Sequence, residues 1–184
     1  MQDFATNYIK RLIAILENLD TATIATITEQ LQKTTGRIYI MGNGGSAATA
    51  SHMVNDLGVG LKRRELQKFD VTSLSDNTPV CSAIANDIGY ENVFYMQLKD
   101  ILKKDDLLIA ISCSGNSQNI IKAVEYAKGQ HVSIIGITGF DGGKLKQLSD
   151  INFHVDTKTG EYGLVEDVHM ILDHIIYSYY IESK

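Results

Sequence analysis

The sequence predicts an α/β protein: a three-layer α/β/α sandwich around a parallel five-stranded sheet, with helices before it and a long helix after it. Three observations carry this. After Gly36, short β-rich apolar runs alternate with stretches of helical periodicity, and strands interleaved in this way pair in parallel. Two glycine-rich loops each follow such a run and open a helical one. One proline and no low-complexity linker interrupt the chain, so residues 1–184 read as a single domain, with N-terminal helices over 1–35 and an α/β core over 36–184.

The elements follow in order. Phe4, Tyr8, Leu12, Ile15 and Leu16 recur at helical spacing, as do Ile24, Ile27 and Leu31, giving two helices ahead of the sheet. Strands are expected at 37–42, 69–74, 106–112, 133–138 and 151–155, and helices between them at 47–57, 91–102, 117–128 and 143–148. The last helix covers about 164–181, with Val165, Val168, Leu172, Ile175, Ile176 and Tyr179 as a broad apolar stripe. Part of that stripe is expected to pack on another subunit.

Composition narrows the function. A chain of 184 residues with 44% hydrophobic and 21% charged residues can bury a sizeable core. Its formal net charge of −5 argues against nucleic acid, and the basic cluster Lys62-Arg63-Arg64, followed by Glu65, reads as a solvated loop. The N-terminus lacks the basic region and cleavage site of a secretory signal, and no apolar run approaches the ~20 residues that span a bilayer. The expectation is a cytoplasmic protein that binds no membrane. Cys81 and Cys113 form no metal or disulfide framework.

The most informative stretch is Ile111-Ser-Cys-Ser-Gly-Asn-Ser117, between a strand and a helix. A helix N-terminus offers unpaired N–H groups and the positive end of the helix dipole, and Ser112, Ser114 and Ser117 add neutral donors: a cradle for a phosphate monoester. No Lys-Ser or Lys-Thr pair follows the glycine, which excludes a nucleotide-triphosphate loop. Cys113 reads as part of that cradle rather than as a nucleophile. The earlier loop, Met41-Gly-Asn-Gly-Gly-Ser-Ala47, fits the dinucleotide pattern only loosely, because its one acidic candidate, Asp76, lies too far downstream. It reads better as backbone N–H groups, Asn43 and Ser46 lining a sugar-phosphate site.

Three further groupings stay open on spacing alone. His52 and Asp56, at i and i+4, share a helix face and suit a divalent metal, an acid/base pair or a plain hydrogen-bonded pair. Glu166-Asp-Val-His169 with His174 places acids and histidines on the last helix, where acids near a helix start also satisfy the dipole. Ala85-Asn-Asp87, after Pro79, reads as a turn, a cap or a contact for sugar hydroxyls.

Taken together, Gly42-Asn-Gly-Gly-Ser-Ala-Ala-Thr-Ala-Ser-His52, Ala85-Asn-Asp87, the serine loop, Thr138-Gly-Phe-Asp-Gly-Gly-Lys144 and Glu166-Asp-Val-His169 with His174 resemble the phosphoheptose isomerases of the sugar isomerase (SIS) domain superfamily. The resemblance runs along essentially the whole chain. It implies a flavodoxin-like fold and interconversion of sedoheptulose 7-phosphate and D-glycero-D-manno-heptose 7-phosphate through an enediol, for lipopolysaccharide or capsule. It also implies a homotetramer with sites at subunit interfaces and one Zn2+ per subunit.

Carried over residue by residue, the metal ligands are His52, Asp56, Glu166 and His174, and the acid/base pair is Asp56 and His174. The substrate contacts are Asn43, Gly44, Gly45, Ser46, Asn86, Asp87, Ser112, Cys113, Ser114, Ser117 and Glu166. The chain departs from the family pattern where Asp56 replaces a frequent Glu, where Glu166 replaces a frequent Gln, and where Gly58-Val-Gly-Leu-Lys62 lacks an arginine. Glu166 and His174 stand about 12 Å apart along a straight helix and about 80° around it, so either the helix is distorted or, as is expected, a neighbouring chain completes the site. Two rival readings remain: a non-catalytic SIS-domain regulator that binds a partner protein, and an isomerase of another ketose phosphate.

Overall fold

A computed structural model describes residues 1–183. Five strands, β1 (Ile38–Gly42), β2 (Val71–Ser73), β3 (Leu107–Ser112), β4 (Ser133–Phe140) and β5 (Ile151–Asp156), form one sheet in the order β2-β1-β3-β4-β5. All four pairings are parallel. Residues of β1, β3 and β4 are almost entirely buried, as parallel strands covered on both faces must be.

The pleat sorts those residues into two cores. Ile38 and Ile40 of β1 and Leu107, Ile109 and Ile111 of β3 point to the face covered by α2 (Thr21–Lys33), α3 (Gly45–Met53) and α8 (Tyr162–Glu182). Tyr39, Met41, Leu108 and Ala110 point to the face covered by α5 (Val93–Leu98), α6 (Gln118–Gly129) and α7 (Gly143–Leu148). The N-terminal helix α1 (Gln2–Glu17) buries none of its residues fully, but Leu12, Ile15 and Leu16 pack on the first core. Tyr8 Oη donates to Asp167 of α8 at 2.7 Å, and Arg11 pairs with Glu161, which together hold α1 against α8. Among the described residues, no helix is long and apolar enough to cross a membrane.

Three elements differ from the sequence expectation. The segment after Pro79 is helix α4 (Thr78–Ile88), started by Asn77, whose side chain accepts from Val80 N, with proline in the first turn. Helix α4 buries no residue fully, and Pro79, Asn86 and Asp87 gave its sequence the look of a turn. The helix expected at 91–102 is a 3₁₀ turn, Tyr90–Asn92, followed by the short α5. The helix expected at 47–57 is α3 running into a π-helical stretch, Val54–Gly60. Such wide turns concentrate at functional sites, and Asp56 lies in this one.

The chain winds from β1 out to β2, then returns to add β3 on the other side of β1. The loops after β1 and β3 therefore diverge at the carboxyl edge, the topological switch point where ligands bind in open α/β sheets.

Candidate active site

At that switch point lies a cavity of about 150 Å³ lined by Asn43, Ser46, Ile111, Ser112, Cys113, Ser114, Ser117, Tyr162 and Glu166. Seven of the residues expected from sequence thus share one pocket. The serine loop is held by its own bonds: Ser112 Oγ accepts from Gly115 N at 3.1 Å, and Ser114 Oγ accepts from Asn116 N at 3.3 Å. Gly115, at φ +62°, has no room for a Cβ, which would stand 2.0 Å from the Gly142 carbonyl oxygen. The β4–α7 loop is thereby packed onto the serine loop, and Leu145 N donates to Gly115 O at 2.9 Å. Ser117 precedes α6 without capping it, and its hydroxyl lies 3.5 Å from that of Ser112. The two hydroxyls and the open first turn of α6 make a neutral donor set for an anion.

The opposite wall is the loop after β1. Gly44 and Gly45 bring the start of α3 against Glu166, whose carboxylate lies where a Cβ on Gly45 would sit, 2.3 Å away. A carboxylate there faces the positive end of α3. Cys113 is buried beside it, and burial, together with the Glu166 charge, pushes its thiol up to about 11. The thiol stays protonated at neutral pH, which removes it from nucleophilic chemistry.

Asn43 is less free than its sequence position implied. It exchanges two 2.9 Å hydrogen bonds with the amide of Asn119, and Tyr90 Oη donates to Asn43 Oδ1 at 2.8 Å. Asn119 and Tyr90 are supporting residues that the sequence reading missed. The signal for Asn119 was a polar side chain on the otherwise apolar inner face of α6. Asn86 and Asp87, paired to each other at 2.9 Å, are exposed near the end of α4 and do not line this cavity.

A second constellation sits where α3 ends. His52, Asp56, Asp173 and His174 offer ligand atoms that all lie within 4.8 Å of one another. His52 Nε2 is 3.1 Å from His174 Nε2 and 3.5 Å from Asp56 Oδ2. The structure thus brings together three of the four expected metal ligands, while Glu166 stays at the other end of α3. The fourth member, Asp173, was not anticipated. It is 0% exposed, and neither of its carboxylate oxygens has a hydrogen-bond partner among the described residues. Burial, then the nearby Asp56 carboxylate, pushes its acid up to about 7. Its sequence signal was an acid two turns after Glu166, beside the apolar stripe of α8. The arrangement offers two imidazoles and two carboxylates, a set suited to a dication or to moving protons.

Comparison with known proteins identifies the family. The family model described as SIS domain matches residues 3–139. The phosphoheptose isomerase of Helicobacter pylori strain P12 is 37% identical over 168 residues, covering 91% of this chain and 85% of that protein. The phosphoheptose isomerase of Helicobacter hepaticus is 40% identical over 153 residues, covering 83% and 76% respectively. The solved structure of a phosphoheptose isomerase from Neisseria gonorrhoeae superposes with a TM-score of 0.86 at 26% identity, over 100% of this chain and 99% of that one. On the family match, the identity to these relatives and the shared fold, the chain belongs to the phosphoheptose isomerase family of SIS-domain proteins.

Proposed function

We propose that this chain is an aldose–ketose isomerase that converts sedoheptulose 7-phosphate to D-glycero-D-manno-heptose 7-phosphate in the cytoplasm, supplying heptose for lipopolysaccharide or capsule. The observation that carries the reading is the pairing of a neutral phosphate cradle with an acid/base cluster, one at each end of α3. Ser112, Ser114 and Ser117 hold the phosphate, far from the reacting carbons, so that binding energy orients the chain of the sugar.

At the other end, one of Asp56 and His174 takes a proton from C1 while the other protonates O2, giving the enediol. The pair then returns a proton to C2 and removes the O1 proton, leaving the aldehyde. Tyr162 and Glu166 close the wall of the cavity, and Glu166 is placed to accept from a sugar hydroxyl.

The cluster fits a zinc ion. Two imidazole nitrogens at about 2.0–2.1 Å from a tetrahedral zinc stand roughly 3.3 Å apart, close to the 3.1 Å between His52 and His174. His52, Asp56 and His174 would hold it, and Glu166 could join them only from a neighbouring copy. Bound there, the ion supplies Lewis acidity to the substrate carbonyl. The exposed apolar residues of α1 and α8 support a homotetramer with active sites at subunit interfaces.

The test is an NMR time course with sedoheptulose 7-phosphate, run with zinc and again after chelation. Appearance of an aldose anomeric signal that chelation abolishes is the expected result. No conversion in either condition overturns the assignment.

A further inference from the structure

We propose that Asp173 is the fourth protein ligand of the cation held by His52, Asp56 and His174. The site is then complete within one subunit, and Glu166 is left to the sugar-phosphate cavity. The inference rests on the metal reading above and deepens it.

Three observations converge. The carboxylate of Asp173 is wholly buried, and both its oxygens lack a hydrogen-bond donor among the described residues. A charged group so placed is retained only where something neutralises it. Its ligand atom lies within 4.8 Å of those of His52, Asp56 and His174, which come from the end of α3, the π-helical stretch and α8. Donors that crowded need a proton or a cation among them, and two carboxylates with two neutral imidazoles balance a dication.

The third observation is the division of α8. Glu166 and Asp173 lie on nearly one helix face, two turns or about 10.5 Å apart. The first meets Gly45 at the start of α3, and the second meets His52 at its end. The two acids of one face therefore serve two different sites. The wide π-helical turn carries Asp56 toward His52 and Asp173, so all four ligands come from one chain.

Zinc affinity of the full-length protein, stripped by a chelator and titrated against a chromophoric competitor, tests this, together with the visible spectrum of the Co2+ form. The expected result is one equivalent per wild-type chain. Asp173→Asn should bind at least about tenfold more weakly and give an altered Co2+ spectrum. Glu166→Gln should stay within about threefold of wild type with an unchanged spectrum. The metal-free Asp173→Asn protein should melt no lower than metal-free wild type, because a buried amide replaces a buried charge, and it should lose the zinc-induced rise in Tm.

Loss of the metal in Glu166→Gln with retention in Asp173→Asn overturns the proposal, as does a metal-free Asp173→Asn protein that melts far below wild type. Failure of the metal reading itself looks different: wild type would bind no zinc, and its isomerisation would be indifferent to chelation.

Discussion

At the residue scale, the two ends of the site call for different kinetic signatures. His174 Nε2 stands 3.1 Å from His52 and within the acid cluster, so on the proposed function its loss removes a proton-transfer group and a donor to the cation. His174→Ala should lower kcat by roughly 10²–10⁴-fold, the usual worth of a positioned acid or base. Because His174 is exposed, the far-UV circular dichroism and the melting temperature of the metal-free protein should hold. Turnover near wild type would remove His174 from the chemistry. Ser114 lines the serine cradle instead, where the proposed function seats the phosphate. Ser114→Ala should leave kcat within a few-fold and raise KM roughly 10–100-fold, as a lost hydrogen bond to a charged group would. An unchanged KM would place the phosphate elsewhere.

At the level of single elements, α8 ties the site to the sheet through a histidine. His169, 1% exposed, lies 3.2 Å through Nε2 from the carbonyl oxygen of Thr138 on β4, and its Nδ1 has no partner among the described residues. The carbonyl can only accept, so the neutral ring donates from Nε2. Burial pulls the ring down to about 4 from its ordinary 6.5. The unfolded chain therefore binds a proton that the folded one refuses. This stability is complete above about pH 6.5 and drains away as pH falls toward 4, by up to about 3 kcal/mol. Urea unfolding at pH 7 and at pH 4.5 should show a smaller loss in His169→Gln, which keeps a donor to Thr138, than in wild type. Equal acid losses in the two proteins would assign the effect to other groups. What the sequence disclosed about elements followed the same logic of burial. Strands β1, β3 and β4 stood out because nearly every residue in them is apolar and covered, whereas α4 read as a turn because Pro79, Asn86 and Asp87 are turn residues that a helix also accommodates near its ends. The serine loop was legible because its chemistry is local. Asp173 was not, because its meaning comes from the close packing of α3 on α8, which spacing along one helix does not disclose.

Across the whole molecule, the unpaired surface argues for assembly. Ile9 and Ile13 on α1 are 55% and 49% exposed, and Ile175 and Tyr179 on α8 are 39% and 48% exposed. An apolar groove of about 390 Å³ runs between α2 and α8, lined by Ile24, Ala25, Thr28, Ile175, Ile176 and Tyr179. One edge of this groove, Ile175, directly follows His174, so a chain seated there packs on the helix that carries the histidine cluster. Assembly and catalysis are then coupled through α8, and the coupling is measurable from the apolar surface of α1, away from the histidine cluster. Light scattering should give roughly four times the 20.3 kDa chain mass. The double substitution Ile9→Asp and Ile13→Asp, on the solvent side of α1, should yield smaller, folded species whose kcat falls at least about tenfold while the zinc content of each chain persists, because the ligands of the cluster come from one chain. Full activity in a dispersed monomer would show that the site needs no neighbour. A dispersed form that loses its zinc would instead place one of the ligands on a second copy, and Glu166 would be the first residue to examine.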